Sequence, residues 1–289
     1  MSQSVFPTID ASTPKAQPVL VLAPGLADKN YWTDLWHYRE LFLILAWRDL
    51  AVRYKQTVIG VLWAILRPLL TMVILAVVFG RIAKLPSDGH APYPLLVFAA
   101  MLPWTLFATS LSDASNSLIG SSNLISKVYF PRLIVPTATI MTALVDSLIS
   151  LAILLALMAY YRFAPGWNIA LLPLFMLLAL LASLGPSLWI TALNVKYRDF
   201  RYVIPFVTQL GLYVSPVGFS SSVIPKHWRL LYCVNPMVGV IDGFRWCILG
   251  GNSPLYWSGF ALSFGIVAAF LWLGIRQFRK MEKTFADLI

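Results

Sequence analysis

The chain has 289 residues, of which 59% are hydrophobic and only 12% are charged. A soluble domain of this size normally carries about twice that share of charge, so the composition excludes a soluble globular protein and indicates an integral membrane protein. The net charge of +10 raises the alternative of nucleic-acid binding, but the basic residues lie in short segments between apolar runs rather than on a soluble module. We therefore expect no nucleic-acid partner.

Residues 1–30 are polar and contain prolines, and they lack the basic start and long apolar region of a signal peptide. We expect them to form a cytoplasmic tail.

The segment from Tyr31 to Lys55 has a tryptophan-rich apolar stripe at helical spacing, with charged residues opposite. Such a helix lies in the membrane interface. The alternative, a helix packed on a soluble core, is disfavoured because no such core follows. We assign to this interfacial amphipathic helix the residues Trp36, Arg39, Trp47, Arg48, Arg53 and Tyr54.

Residues 56–289 are predicted to form an all-α transmembrane domain with six spans. An apolar run of roughly 20 residues crosses a bilayer as a helix, and the first such run follows the basic residues before Thr57. Basic residues beside a first span mark the cytoplasmic face. The predicted spans are Thr57–Phe79, Pro94–Leu118, Leu133–Tyr160, Ile169–Leu193, Val203–Phe219 and Tyr256–Ile275.

An even number of spans puts both termini on one side, and most of the 22 lysines and arginines then fall on that side. The positive-inside rule makes it the cytoplasmic side. The segment between spans five and six is apolar but interrupted by polar residues and proline, which predicts a re-entrant hairpin on the outer side rather than a crossing. Its interrupting residues are Asn235, Pro236, Asp242 and Arg245.

The sequence has no G-x-x-x-x-G-K-[ST] phosphate loop, no H-E-x-x-H and no G-x-S-x-G motif, and its three histidines are scattered. We therefore predict no catalytic residue, no metal site and no cofactor on this chain. The two cysteines, Cys233 and Cys247, give no disulfide framework, and we expect free buried thiols, although pairing stays open.

Several runs carry a resemblance to one family. They are Y-R-E-L-F-L-I-L-A-W-R-D-L-A-V-R-Y-K-Q-T-V-I-G-V-L-W-A-I-L-R-P-L-L from Tyr38, S-N-L-I-S-K-V-Y-F-P-R-L-I-V-P, L-N-V-K-Y-R-D-F-R-Y, N-P-M-V-G-V-I-D-G-F-R and the terminal E-K-T-F-A-D-L-I. From Tyr38 onward the chain resembles the membrane (permease) subunit of ABC-2 type exporters of polysaccharides and polyol phosphates, which carry O-antigen, capsule and teichoic acid. Arg67 stands where the family more often has an uncharged polar residue.

The resemblance implies a homodimer in the cytoplasmic (inner) membrane, with two copies of a cytoplasmic ABC ATPase that binds ATP and Mg. The substrate it implies is a lipid-linked glycan, moved through a channel between the two permease copies. It further implies that the interfacial helix and two inner segments contact the ATPase. Carried onto this chain, the coupling residues are Asn123, Ser126, Lys127, Tyr129, Arg132, Lys196, Tyr197, Arg198 and Asp199. The hairpin of Asn235 to Arg245 would lie at the channel exit.

Aromatic residues within the spans have two interpretations. They could stack on sugar rings in a glycan channel, or they could face lipid or pack in the core. The candidates for the channel are Trp63, Trp104, Phe107 and Trp189.

Two charged residues, Arg67 and Asp146, each lie about ten residues into a span, at about 15 Å depth. Equal depth makes an intramembrane ion pair possible, and pairing would offset the cost of both charges. Asp146 could instead meet Ser147, Ser150 or water.

Three other functions stay open. An exporter of a small lipid or drug belongs to the same class of transporter. A membrane glycosyltransferase would need paired acidic residues on a polar loop, whereas the loop acids here are isolated. An ion-coupled transporter would need more ionisable groups at mid-membrane.

Overall fold

The computed structural model describes residues 31–55, 58–88, 91–197, 199–250 and 255–285. Its regular elements within these ranges are all helical. The α-helices are α1 (Tyr31–His37), α2 (Arg39–Tyr54), α3 (Val58–Leu75), α4 (Tyr93–Gly120), α5 (Ser122–Lys127), α6 (Ile134–Tyr160), α7 (Leu172–Lys196), α8 (Phe200–Val214), α9 (Lys226–Tyr232), α10 (Pro236–Ile248) and α11 (Trp257–Glu282). A π-helix, Ala76–Ile82, extends α3, and short 3-10 turns precede α7 and α9.

Five helical segments of the described chain are long and apolar enough to cross a membrane: 62–82, 93–120, 134–160, 167–196 and 257–282. They agree with predicted spans one to four and six. The predicted fifth span corresponds to α8, which has 15 residues and covers only about 22 Å. The described part of the chain is thus all helical with five candidate spans, which agrees with an integral membrane protein.

Helix α4 is the centre of the bundle, and most of its side chains are buried. It packs against α6, α7 and α10, while α11 packs on α7 and α2 packs on α6. Helices α3 and α8 lie at the edge of the bundle and contact α4 with one face. Their outward faces are apolar and exposed, through residues that include Leu70, Ile74, Phe206 and Leu210.

The bundle has two apolar cores, which lie at different levels along the helices. The larger core is formed mainly by α4, α6, α7 and α10, with Phe98, Leu154 and Phe244 fully or nearly fully buried. The second core lies where α1, α2 and α5 meet the end of α11, and it encloses Leu45 and Phe278. The short helices are therefore packed on the bundle rather than separate from it.

The N-terminal region is two helices rather than one, because the segment predicted as a single stripe breaks at Tyr38. Backbone hydrogen bonds continue on both sides, with Tyr38 donating to Asp34 and Phe42 donating to Tyr38, so the break is a local turn. Both faces of α2 carry apolar side chains, and the exposed face also carries charged residues such as Arg48. Leu41 and Leu45 face the bundle, and Leu43 and Trp47 are exposed.

Candidate functional site

A cavity of about 560 Å³ opens between α3, α4, α6 and α8, beside the end of α2. Its wall combines charged, hydroxyl, amide and aromatic side chains, which is unusual for the interior of an apolar bundle. The polar and aromatic lining residues are Arg53, Tyr54, Trp63, Arg67, Thr71, Trp104, Thr105, Thr109, Asp146, Ser147, Ser150, Thr208 and Gln209. This cavity is the candidate functional site.

An ion network closes one end of the cavity. The guanidinium of Arg53 bridges two carboxylates, with Nη1 at 3.0 Å from Asp113 Oδ2 and Nη2 at 2.8 Å from Asp146 Oδ2. Arg53 Nη1 also lies 3.4 Å from Thr142 Oγ1, and the hydroxyl of Tyr54 donates to Asp146 Oδ1. One arginine of α2 therefore joins α4 to α6 at this level.

The ion pair predicted between Arg67 and Asp146 is corrected by this network. The two residues do line the same cavity, but in the described part of the chain Asp146 pairs with Arg53 instead. Arg53 comes from the predicted interfacial helix, whose last turn lies against α6. Arg67 and Asp146 face the same cavity, but the side chain of Arg53 reaches the Asp146 carboxylate.

The four predicted channel aromatics separate into two groups. Trp63 and Trp104 line the cavity, and Phe107 lies against Trp104 with ring centroids 5.6 Å apart. Trp189 packs near Phe270 of α11, at 6.5 Å between ring centroids, and does not line the cavity. Three of the four therefore stand at or beside one site, and the fourth packs within the bundle.

The first predicted coupling segment is a short helix with an exposed surface. Helix α5 and the residues after it present Asn123, Ser126, Lys127 and Tyr129 outward, while Ile125 is buried in the second core. Burial of Ile125 holds the segment against the bundle while its polar side chains stay exposed.

Arg132, at the end of this segment, is fixed by the end of α11. Its backbone N–H donates to Glu282 Oε1 at 2.7 Å, and its guanidinium donates to the Glu282 carbonyl. The Tyr31 hydroxyl donates to Glu282 Oε2 at 2.9 Å, and the guanidinium of Arg279 lies 4.6 Å from the Tyr31 ring. Burial, reinforced by the nearby Glu282 carboxylate, raises the pKa of the Tyr31 hydroxyl above its usual value, so it stays a donor.

The second predicted coupling segment links α7 to α8. Lys196, Tyr197 and Asp199 are exposed, and the Lys196 ammonium lies 5.1 Å from the Tyr197 ring. Arg198 lies outside the described residues. The exposed residues present a polar surface near the end of α7.

The residues predicted for the interfacial helix divide between two environments. Trp36 and Trp47 are exposed, Arg39 lies 5.6 Å over the Trp36 ring, and Arg48 pairs with its neighbour Asp49 at 2.7 Å. In contrast, Arg53 and Tyr54 point into the ion network of the cavity. The helix thus combines an exposed aromatic surface with a polar end that joins the site.

The predicted outer hairpin is a pair of short helices, α9 and α10, joined near Asn235. The Asn235 side chain caps α10 by accepting from Met237 N at 3.0 Å, and Pro236 occupies the first turn. Asn235 also donates to Ser215 Oγ at 2.9 Å. The asparagine and proline that interrupt the apolar segment therefore start a helix.

Arg245 of α10 is fully buried and donates to three backbone carbonyls, at 3.3 Å to Leu96, 2.8 Å to Phe219 and 3.1 Å to Val217. Asp242, one turn earlier, accepts from Ser221 Oγ at 2.7 Å. These contacts hold the segment that follows α8 against α10 and α4. The two charged residues hold this segment in place and are themselves not at the cavity.

Four functional or structural residues were missed at the level of sequence. Asp113 received no partner although it lies about five turns into the second predicted span, and Glu282 lies between Lys280 and Lys283 in a basic terminal segment. Gly185 and Gly274 mark the crossing of α7 and α11, where a Cβ on Gly274 would lie 2.1 Å from the Gly185 carbonyl oxygen. Small residues are a known mark of close helix crossings in membranes, so the glycines could have been found.

The described residues contain no group of three or more His, Cys, Asp or Glu side chains arranged to hold a metal ion. Cys233 and Cys247 are free and buried.

Known proteins match this chain over most of its length. Residues 40–249 match the model of the ABC-2 type transporter family. The chain is 27% identical to the O-antigen export system permease protein RfbA of Myxococcus xanthus, over 89% of this chain and 98% of that protein. It is 26% identical to the RfbA of Klebsiella pneumoniae, over 89% and 97%. It is 25% identical to the polysialic acid transport protein KpsM of Escherichia coli, over 82% and 92%.

The resemblance found in the sequence motifs is thus confirmed at the level of the family. The family match spans α2 to α10 and includes every helix that lines the cavity. With well over half of the chain matched, this protein belongs to the ABC-2 type transporter family of membrane subunits.

Proposed function

We propose that this chain is the channel-forming membrane subunit of an ABC transporter that exports a lipid-linked cell-surface polysaccharide, with an O-antigen-like glycan as substrate. The observation that carries the proposal is the similarity to O-antigen export permeases, which covers nearly the whole length of both chains. A polar and aromatic cavity inside an apolar bundle agrees with a path for a glycan. Its tryptophans offer faces on which sugar rings stack.

The proposed topology has six crossings, with α8 as the fifth. Five crossings would place the termini on opposite sides, whereas most lysines and arginines favour two cytoplasmic termini in the inner membrane. Helix α8 is shorter than the roughly 30 Å hydrocarbon core, but a short helix is accommodated by local thinning of the bilayer. Residues 1–30 would then be a cytoplasmic tail and α1–α2 an interfacial element. Helices α9 and α10 would form the re-entrant exit hairpin.

The subunit would act as a homodimer with two ABC ATPase subunits, which bind ATP and Mg. The exposed apolar faces of α3 and α8 offer a surface for a second copy or for membrane lipids. The exposed residues of α5 and of the segment after α7 offer a polar surface for the ATPase. We infer that the chain itself is not an enzyme and carries no cofactor, since its sequence has no phosphate-binding loop.

Deletion of the gene for this chain from its native host, with plasmid complementation, tests the proposal. We expect loss of surface polysaccharide and accumulation of the lipid-linked glycan inside the cell. Purification with the partner ATPase should give a complex whose ATP hydrolysis is stimulated by that glycan. Normal surface polysaccharide in the deletion strain would contradict the proposal, and stimulation by a small lipid or drug alone would favour that other class of exporter.

A further inference from the structure

The cavity contains two arginines in different electrostatic situations. Arg53 is neutralised by the carboxylates of Asp113 and Asp146, both within 3.0 Å. The Arg67 guanidinium, on α3, has no ion pair and no hydrogen bond within the described part of the chain, although Asp113 is within electrostatic range. The carboxylates are therefore engaged by Arg53, and Arg67 presents an unpaired positive charge to the cavity.

An ionised residue within a membrane helix is costly and is retained where it has a function. Arg67 lies within the first candidate span, 62–82, and its side chain is exposed to the cavity rather than packed in the core. An uncharged side chain at this position would avoid the cost. The charge therefore points to an anionic ligand.

The surroundings of Arg67 specify the kind of anion. The cavity wall supplies the amide of Gln209 and the hydroxyl of Thr109, which can bond phosphate oxygens or sugar hydroxyls. Trp63 and Trp104 add two aromatic rings. Arginine binds phosphate with two parallel N–H donors, which makes it the preferred residue for this group.

The edge of the cavity is suited to a lipid tail. Helices α3 and α8 border the cavity, and their outward faces are exposed and apolar, including Ile74 on α3 and Phe206 on α8. A long-chain lipid could keep its tail on these faces while its polar group enters between them. A free inorganic anion would not use this apolar border.

We propose that Arg67 binds the phosphate or diphosphate group that joins lipid to glycan in the transported substrate, with the first sugars beside Trp63 and Trp104. This inference rests on the proposed export function and adds the site at which the substrate is held. It makes Arg67 a binding residue, whereas Arg53 joins the helices that form the cavity wall.

Binding of a long-chain alkyl phosphate tests the site without transport. The full-length chain, purified in an uncharged detergent, is titrated with a fluorescent alkyl phosphate and with the matching uncharged alcohol. We expect the phosphate to bind at least about tenfold more tightly than the alcohol, since a hydrogen bond to a charged group has about that effect. Arg67→Gln should remove this preference, and Arg67→Lys should keep most of it.

Two further variants guard against an indirect effect. Gln209→Glu adds a negative charge to the cavity wall and leaves Arg67 itself in place. It should weaken phosphate binding severalfold. Arg81→Gln removes an arginine that lines a different cavity, and binding should stay unchanged. Each variant is checked for an unaltered elution profile before titration.

Unchanged phosphate affinity in Arg67→Gln, or equal affinity of the parent chain for phosphate and alcohol, would overturn the proposal. An equally strong competition by phosphatidylglycerol would also overturn it, because the site would then belong to a membrane phospholipid. None of these results depends on export, so the gene-deletion test of the transporter function can succeed while this site fails.

Discussion

Arg132 and Glu282 lie 150 residues apart in the chain and meet where the second core ends, with the Arg132 backbone N–H 2.7 Å from the Glu282 carboxylate. The same carboxylate accepts from the hydroxyl of Tyr31. A single acid therefore joins α1, the segment after α5 and the last turn of α11. If α5 contacts the ATPase, a displacement of α5 is transmitted directly to α11.

Replacement of Glu282 should weaken the contacts between α1, the segment after α5 and the end of α11. Glu282→Leu removes both acceptors and leaves the Arg132 N–H and the Tyr31 hydroxyl unpaired, at a cost of about 1 to 3 kcal/mol. We expect a lower midpoint of thermal unfolding in detergent and a weaker stimulation of ATP hydrolysis. Glu282→Gln keeps an acceptor oxygen. It should lower the unfolding midpoint and the stimulation less than half as much as Glu282→Leu does.

Lys280→Leu is the matched control, because Lys280 is an exposed charged residue of the same helix end. Its unfolding midpoint should stay within error of the parent chain. Equal effects of the two leucine variants would contradict a specific role for Glu282.

The ion network at the cavity predicts a coupling between Arg53 and Asp146. Arg53→Leu leaves two carboxylates without their shared partner. A fully buried pair costs about 3 to 5 kcal/mol when broken, but Arg53 keeps 37% of its side chain exposed, so we expect about 1 to 3 kcal/mol. In a double-mutant cycle, Arg53→Leu with Asp146→Leu should be clearly less destabilising than the sum of the single changes.

The same cycle with Arg67→Leu and Asp146→Leu is the control, since Arg67 is not the ion-pair partner of Asp146. The coupling energy between Arg67 and Asp146 should be at least about 1 kcal/mol smaller than that between Arg53 and Asp146. Stability is measured by unfolding in mixed detergent for all variants. A larger coupling for Arg67 than for Arg53 would show that the network is wrongly assigned.

The close crossing of α7 and α11 predicts a strong effect of one added methyl group. In Gly274→Ala the new Cβ would lie 2.1 Å from the Gly185 carbonyl oxygen, so the helices must separate. Overpacking of this kind costs about 1 to 3 kcal/mol. Gly265→Ala on the same helix has nothing within 4 Å of its Cβ and should be neutral. Thermal stability in detergent measures both, and equal stability of the two variants would argue against a tight crossing.

The six-span topology predicts opposite accessibility for two exposed positions. A cysteine at Val234, between α9 and α10, should react with a membrane-impermeant reagent added to the outside of the cytoplasmic membrane, whereas one at Ser126 in α5 should react only after permeabilisation. Background labelling should be low because both native cysteines are buried. The reverse pattern would invert the topology.

The sequence predicted five of the six spans because each of these is a long apolar run. It did not predict the partner of Asp146. Distance along a helix axis gives the depth of a charge, but which neighbouring helix faces it depends on the packing of the whole bundle. The amphipathic pattern of residues 31–55 predicts an interfacial helix, but it does not show that Arg53 and Tyr54 of the last turn reach Asp146.

Helix α8 and Glu282 illustrate two further limits. The run from Val203 to Phe219 is mostly apolar, but the helix ends at Val214 and Ser215 is extended, because the residue before a proline, here Pro216, is disfavoured in the helical conformation. Glu282 lies among basic residues, a pattern that is typical of a solvent-exposed helix end. Its role depends on residues 150 and 251 positions away, and no local pattern records contacts at such separations.

The contact between Tyr31 and Glu282, 251 residues apart, has a consequence for biosynthesis. Helix α1 is synthesised 251 residues before its acceptor, Glu282. A truncated chain that ends before α11 can insert its earlier helices but cannot fix α1 against the rest of the bundle. The surface formed by α1, α5 and the end of α11 is therefore complete only once α11 has been made, so assembly with a partner at this surface would select chains that contain α11 over shorter fragments.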